Sequence, residues 1–208
     1  MSEHSHSHAP RPPHLSQIQL RLAHARLPDG EEDTHAAVAL VLAGHAADLR
    51  LCLIRRAEHE ADRWSGHVAL PGGRVDPVDR NSKDAAIRET REEVGLSLDH
   101  SPYLGWLGAQ RINRNGMPGD RKLAPHVFHL GEELEPFTTN YEVAEAFWVP
   151  LRHLLDPRNA GYRPTPRDGA VFDSPAVIYQ GHPIWGLTYR ILTIFFERME
   201  LRIARPEP

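Results

Sequence analysis

The sequence predicts an α/β protein of the α+β kind, with helices packed on a mixed β-sheet in one domain. Three patterns carry this reading. The runs HAAVALVLAG (35–44) and ADLRLCLIRRA (47–57) are two strands, the second alternating Leu49, Leu51 and Leu53 with more polar neighbours. KDAAIRETREEVGL (83–96) is a helix bounded by capping residues. IWGLTYRILTIFFERM (184–199) is amphipathic at helical spacing.

Taken in order, MSEHSHSHAPRPPH (1–14) lacks large apolar residues, so it should be a disordered His- and Pro-rich tail. The single domain then runs over 15–208. LSQIQLRLAHARL (15–27) predicts a short amphipathic helix, and LPDGEED (27–33) a turn-rich break. GHAAD joins the first two strands as a hairpin. GHVALPGGRVDPVDRNS (66–82) reads as a strand entering a glycine- and proline-bearing loop. Asn81 or Ser82 can cap the following helix, and Gly95 suits its left-handed stop. Further strands are expected at 103–112, 122–131, 143–150 and 176–181, and a short helix at 150–155. RINRNGMPGDRK (111–122) is expected to be a basic loop able to close over a ligand.

Bulk properties narrow the classes of function. The chain has 208 residues, 40% of them hydrophobic and 25% charged, enough to bury a core without disulfides. Cys52 is the single cysteine, which fits a reducing cytoplasm. A net charge of −4, with acids interspersed among the arginines, argues against a nucleic-acid binder. No apolar run approaches the roughly 18 residues that span a bilayer, and no secretory pattern opens the chain.

The stretch AIRETREEVGL (86–96) gathers Glu89, Glu92 and Glu93 at i, i+3 and i+4, on one helical face. Glu92 and Glu93 also fall in the last turn, where anions oppose the helix dipole by roughly 0.3–1 kcal/mol each when exposed. In isolation a salt-laced surface face would explain RETREE, since Arg88 can pair with Glu92. The preceding PGGRVDPVD (71–79) shifts the balance. Gly72 and Gly73 permit close backbone approach, and Asp76 and Asp79 add two carboxylates. Such a hard-oxygen environment suits Mg²⁺ or Mn²⁺ rather than Zn²⁺.

These residues resemble a known family. GGRVDPVDRNSKDAAIRETREEVGL (72–96) is similar to the Nudix box, G-x5-E-x7-R-E-U-x-E-E-x-G-U, where U is a bulky apolar residue. Gly73, Arg88, Glu89, Glu92, Glu93, Gly95 and Leu96 fall on its positions. Asp79 stands where the box has its first glutamate, eight residues rather than seven separate it from Arg88, and Thr90 stands where an apolar residue is usual. The Asp79 form and the longer spacing resemble the coenzyme A pyrophosphatase branch. RRAEHEADRWSGHVALPGG (55–73) matches that branch's upstream segment in part, with Arg63 out of register and Leu70 in place of phenylalanine. EVAEAFWVPLRHLL (142–155) and PIWGLTYRIL (183–192) are also similar to that branch.

The resemblance implies a Nudix-type α/β/α sandwich with a mixed sheet and the loop-helix. It implies hydrolysis of a nucleoside diphosphate linked to another group, with Mg²⁺ or Mn²⁺ as cofactor. Within the branch, coenzyme A or acyl-CoA would yield 3′,5′-ADP and 4′-phosphopantetheine products. ADP-ribose, dinucleotides and nucleoside triphosphates are alternatives, and a nucleotide-sensing module without catalysis is an alternative of another class. By motif position Glu89, Glu92, Glu93 and the Gly72 carbonyl are metal ligands. Arg88 orients a carboxylate, with Asp79 or a helix glutamate as partner. Glu89 and Glu142 are both candidates for the general base. Arg56, Arg63, Arg74 and Arg111 are candidates for substrate contact, drawn from a larger set that includes Arg55, Arg114, Arg121 and Lys122. Trp64, Trp106, Trp148 and Trp185 suit packing or base stacking, and His59 and His67 suit structural hydrogen bonds. The partner implied is a small nucleotide substrate, with no nucleic acid and no membrane. A homodimer is left open.

Overall fold

In the computed structural model, residues 9–25, 34–59, 64–114, 117–167 and 169–206 are described, the side chains of 113, 114, 117–119 and 167 excepted. His4, His6 and His8, the 27–33 break and Arg63 lie outside these residues. The chain begins with helix α1 (Leu15–Leu22) and strands β1 (Ala36–Ala43), β2 (Arg50–Arg56), β3 (Val68–Ala69) and β4 (Gly72–Arg74). Helix α2 (Ser82–Val94) follows, then β5 (Tyr103–Trp106), β6 (Gln110–Arg114), β7 (Met117–Gly131) and β8 (Val143–Pro150). The chain continues through α3 (Leu151–Leu155), β9 (Ala160–Arg167), β10 (Ala170–Tyr179), β11 (His182–Trp185) and α4 (Gly186–Arg198).

The main sheet is mixed, as expected. β1 runs parallel to β7 and antiparallel to β2, and the path β3-β2-β1-β7-β5 is extended by β4 on β1, β6 on β7 and β8 on β2. A second sheet has the order β11-β10-β9. β1 shows how the layers arise. It is buried on both faces, so it reads as a continuous apolar run, and its period of two divides it between two cores. Val38, Leu40 and Leu42 enter the core shared with α1, α3 and α4, where Ile18, Leu22, Leu154, Phe195 and Phe196 lie. Ala37, Ala39 and Val41 enter the core under α2, against Ala85, Ala86 and Val94. Alanines on both surfaces let α2 lie close to the sheet, which later proves decisive for its carboxylates. The fully buried Cys52 belongs to this second core, and burial pushes its thiol pKa up.

Helix α2 has the expected limits. Of the two cap candidates, Asn81 is the one used, its side chain accepting from the Asp84 amide at 3.0 Å. Ser82 instead lies buried in the first turn, 2.8 Å from His126 Nε2, and Tyr103 meets the other ring nitrogen at 3.1 Å. Gly95 ends the helix at φ 76°, and its N–H closes on the Arg91 carbonyl.

Four expectations need correction. The run 103–112 is two strands, parted near Gly108, whose φ of 88° breaks the extension. The basic segment 111–122 is mostly a β6–β7 hairpin rather than a loop, with Arg111 opposite Lys122 and Arg114 opposite Met117. Helix α4 begins at Gly186, because His182–Trp185 pairs with β10 as a strand. β9 was not expected at all: Pro164 and Pro166 disguise it, and prolines are tolerated there because β9 is an edge strand.

The side chains that join α4 to the sheet give a direct stability test. Phe196 is fully buried and packs edge-on with Phe195, centroids 5.2 Å apart. Phe196→Ala should lower unfolding stability by about 3–5 kcal/mol, read from the urea midpoint at unchanged m-value.

Candidate metal and catalytic site

The site begins with two glycines that are needed for different reasons. β4 pairs with β1 through Val38↔Gly72, Ala37↔Gly73 and Ala36↔Arg74. At Gly72, with φ 148°, a Cβ would lie 2.2 Å from the Ala37 carbonyl oxygen, so only glycine lets the chain press so closely on β1. At Gly73 a Cβ would lie 2.4 Å from Glu89 Oε1. The second glycine therefore leaves room for a carboxylate to rest against bare backbone. Downstream, the Asp79 side chain accepts from the Asp76 amide at 2.8 Å, fixing the turn that leads into α2.

Arg88 gathers the carboxylates. Its Nε and Nη2 donate to the two oxygens of Asp79 at 3.1 and 2.9 Å, a bidentate fork. Nη1 donates to Glu89 at 2.9 Å and to Glu92 at 3.1 Å, and Nη2 also reaches the Arg74 carbonyl at 3.0 Å. The two alternatives for its partner are thus both realised. Asp79 has only 4% of its side chain exposed. Its hydrogen bonds from Arg88 hold its pKa below the usual carboxylate range. The same contacts raise the pKa of Arg88.

Glu93 is the most constrained acid. It is 2% exposed and accepts a 2.8 Å hydrogen bond from the Gly72 amide. Burial pushes its pKa up to about 8; the fields of Glu89 and Glu142 add to this, while the Gly72 hydrogen bond and Arg56 oppose it. Glu89 is raised as well, chiefly by burial, with Arg88 opposing and Glu92 and Glu142 adding. Thr90, unusual at its position, is buried without penalty because its hydroxyl donates to the Ala86 carbonyl at 2.7 Å.

The segment bearing Glu142 is tied to this helix. The Thr138 amide donates to the Val94 carbonyl at 3.0 Å, and the Asn140 amide to the Glu93 carbonyl at 3.2 Å. These bonds satisfy carbonyls that a helix end leaves open. The Glu142 carbonyl then accepts from the Ala57 amide at 2.8 Å, and its amide donates to Asn140 Oδ1 at 2.9 Å.

Glu89, Glu92, Glu93, Glu142, Arg56, Arg88 and Gly72 are therefore brought together. Arg55 and Arg56 are neighbours on a strand, so their side chains take opposite sides. Arg56 acts on Glu93, whereas Arg55 lies 3.5 Å from Glu145. Arg74 stands at the margin and contributes its carbonyl to Arg88. Arg111 is on β6, three strand spacings from Arg74 through β1 and β7, or about 14 Å. Trp148 is a packing residue, stacked on Phe137 at 5.0 Å with its N–H donated to the Glu135 carbonyl. Arg163 on β9 was missed because its strand was missed.

The donor set fits a hard divalent cation. Buried carboxylates with raised pKa values surround a backbone cradle that a Cβ at Gly73 would fill. Among the described residues no three acid, histidine or cysteine side chains already converge as a finished cage. Arg88 and the Gly72 amide hold the acids meanwhile.

Comparison with known proteins agrees with this architecture. A family model described as NUDIX domain matches residues 33–168. A human protein named mitochondrial coenzyme A diphosphatase NUDT8 is 33% identical over 138 residues, covering 64% of this chain and 56% of that protein. The chain thus spans little more than half of that relative's length. An uncharacterized Nudix hydrolase, NudL of Photorhabdus laumondii, is 33% identical over 176 residues, covering 85% of this chain and 89% of that protein. The crystal structure of a MutT/nudix family protein from Enterococcus faecalis superposes with a TM-score of 0.51 at 18% identity, over 89% of this chain and 69% of that one, a likeness of fold. The family match runs over more than half of the sequence and contains the whole loop-helix, so the chain belongs to the Nudix family.

Proposed function

We propose that the chain is a metal-dependent diphosphatase that cleaves the pyrophosphate bond of a nucleoside diphosphate joined to another moiety. Coenzyme A or acyl-CoA is the favoured substrate, giving 3′,5′-ADP and (acyl-)4′-phosphopantetheine. The observation that carries this reading is Glu93: a buried carboxylate, beside other carboxylates, anchored to the glycine loop. A merely structural helix has no reason to bury such an acid at its dipole-disfavoured end. The coenzyme A preference is supported by the name of the human relative and by the Asp79 form of the loop.

Glu89, Glu92, Glu93 and the Gly72 carbonyl would hold Mg²⁺ or Mn²⁺. When bound, such an ion supplies neutralisation of the diphosphate oxygens and a more acidic water. The chain's own groups do the rest. Arg88 fixes the carboxylates through Asp79, so their positions are set before substrate arrives. Arg56 adds positive charge beside Glu93 for the substrate anion. Water attacks one phosphorus, its proton passes to Glu89 or Glu142, and the bridging P–O bond breaks with its electrons leaving on the other phosphate. Retention of all three helix glutamates favours catalysis over nucleotide sensing alone. No helix among the described residues is long and apolar enough to cross a membrane. A reducing compartment such as the cytoplasm suits the buried thiol of Cys52.

The test is incubation with Mg²⁺ or Mn²⁺ and a panel of coenzyme A, ADP-ribose, NADH and nucleoside triphosphates, with products identified by mass. Release of 4′-phosphopantetheine and 3′,5′-ADP is expected; no turnover of any diphosphate would overturn the proposal. Glu93→Gln should abolish turnover while the circular dichroism spectrum is retained. Arg88→Gln should lower metal affinity or activity by about 10–100-fold, as loss of a ligand-orienting group does.

A pH experiment tests the site without substrate. Glu93 has a folded-state pKa near 8 against an ordinary value of 4.5, so the folded protein holds its proton more tightly than the unfolded chain. Its contribution to stability is complete below pH 4.5 and is lost as pH rises toward about 8. In chelator-treated protein, Tm should fall across that window. Mg²⁺ should restore it at the alkaline end, and Glu93→Gln should flatten the profile.

A further inference from the structure

The three-stranded sheet carries a cation that no acid among the described residues answers. Arg163 on β9 lays its guanidinium over the indole of Trp185 on β11, with Cζ 4.0 Å from the ring centroid. Its Nη2 lies 3.4 Å from His67 Nε2, and His67 meets the same indole edge-on at 4.9 Å. The register explains the meeting. Arg163 pairs with Ser174, and Trp185 with Ala176, so all four residues share one face of the sheet. Thr165 and Ser174 place two hydroxyls on that face, 3.0 Å apart. Asp173, the nearest acid in the register, pairs with Pro164 and belongs to the other face. Among the described residues no carboxylate pairs with Arg163, and burial alone lowers its pKa.

A half-buried guanidinium with no counter-ion among the described residues carries a desolvation cost that an anionic ligand would relieve. Stacking on an indole uses the planar face of arginine and leaves available the donors that do not face His67. Those donors match two phosphate oxygens. The location also fits. The His67 carbonyl accepts from the Arg56 amide at 3.0 Å, and the charge of Arg56 acts on Glu93. The cluster therefore stands beside the carboxylate centre, on the side where β3 meets β11.

We infer that Arg163, held by Trp185 and His67, is a specificity residue that binds a phosphate monoester on the nucleoside half of the substrate, separate from the diphosphate that is cleaved. The assignment rests on the diphosphatase reading for the substrate's orientation, while the binding itself requires no turnover.

Calorimetric titration of the full chain with 3′,5′-ADP and with 5′-AMP isolates the one phosphate by which they differ. The wild type should prefer 3′,5′-ADP by about tenfold or more, the scale of a charge-assisted pair. Arg163→Gln should narrow that preference to about twofold. Arg163→Lys keeps the charge but loses the fork and the stack, so an intermediate preference is expected, and it keeps the test readable if the glutamine variant does not fold. No preference in the wild type would overturn the inference. So would equal weakening of both ligands by Arg163→Gln, which is what a purely structural staple between β9 and β11 would produce. The two proposals fail separately. A preference that depends on Arg163 in a protein that hydrolyses no diphosphate supports this subsite and sinks the enzymatic reading. Coenzyme A turnover with a preference indifferent to Arg163 does the reverse.

Discussion

The arrangement of the site depends on one guanidinium. Arg88 reaches Asp79 from the loop, Glu89 and Glu92 from its own helix, and the Arg74 carbonyl from β4. Without it, four acids would repel one another across a few ångströms, and the Asp79 turn would lose its side-chain tie to the helix. With it, two of the acids on α2 are held by a single positive centre. The third of the clustered glutamates, Glu93, is left to the Gly72 amide and to the interior. That division separates the acids that share Arg88, one half-buried and one exposed, from the more deeply buried Glu93.

Backbone geometry makes the division feasible. The helix can bring Glu89 against the loop because Gly73 has no side chain, and it can lie near β1 because alanines face each other across that interface. The electrostatic cost is thus concentrated in Glu89 and Glu93 rather than spread through the fold. The large apolar side chains of the opposite core, contributed by α1, α3 and α4, supply stability that does not depend on the charge state of the site.

Much of this was legible in the sequence, for identifiable reasons. β1, β2 and α2 have strong periodicity and clear stops, so the limits of β1 and α2 match within two residues, while β2 starts three residues later than its apolar run. The clustering of Glu89, Glu92 and Glu93 follows from helical spacing alone. What spacing does not reveal is which arginine faces which acid. Arg55 and Arg56 are adjacent letters with opposite directions, and Arg111 is displaced by strands whose order is a tertiary fact. The link from Asp79 to Arg88 crosses a loop one residue longer than the common pattern, so both its partners had to be held open. In the small sheet part of β10 is legible at 176–181, while β9 is concealed by Pro164 and Pro166 and β11 by a tryptophan that also reads as the start of a helix. The pairing of that sheet is set by neighbours distant from the loop-helix, which local propensity does not encode.

The segment from Thr138 to Glu142 has a consequence for how the molecule can change. It closes the end of α2 through two backbone bonds, at Thr138 and Asn140, and two residues later meets Ala57, just past the end of β2. Both ends are anchored, so its length is a gauge between helix and sheet. Most surface connections accept insertions freely; this one does not. Lengthening it would uncap the helix and displace an acid in the same step.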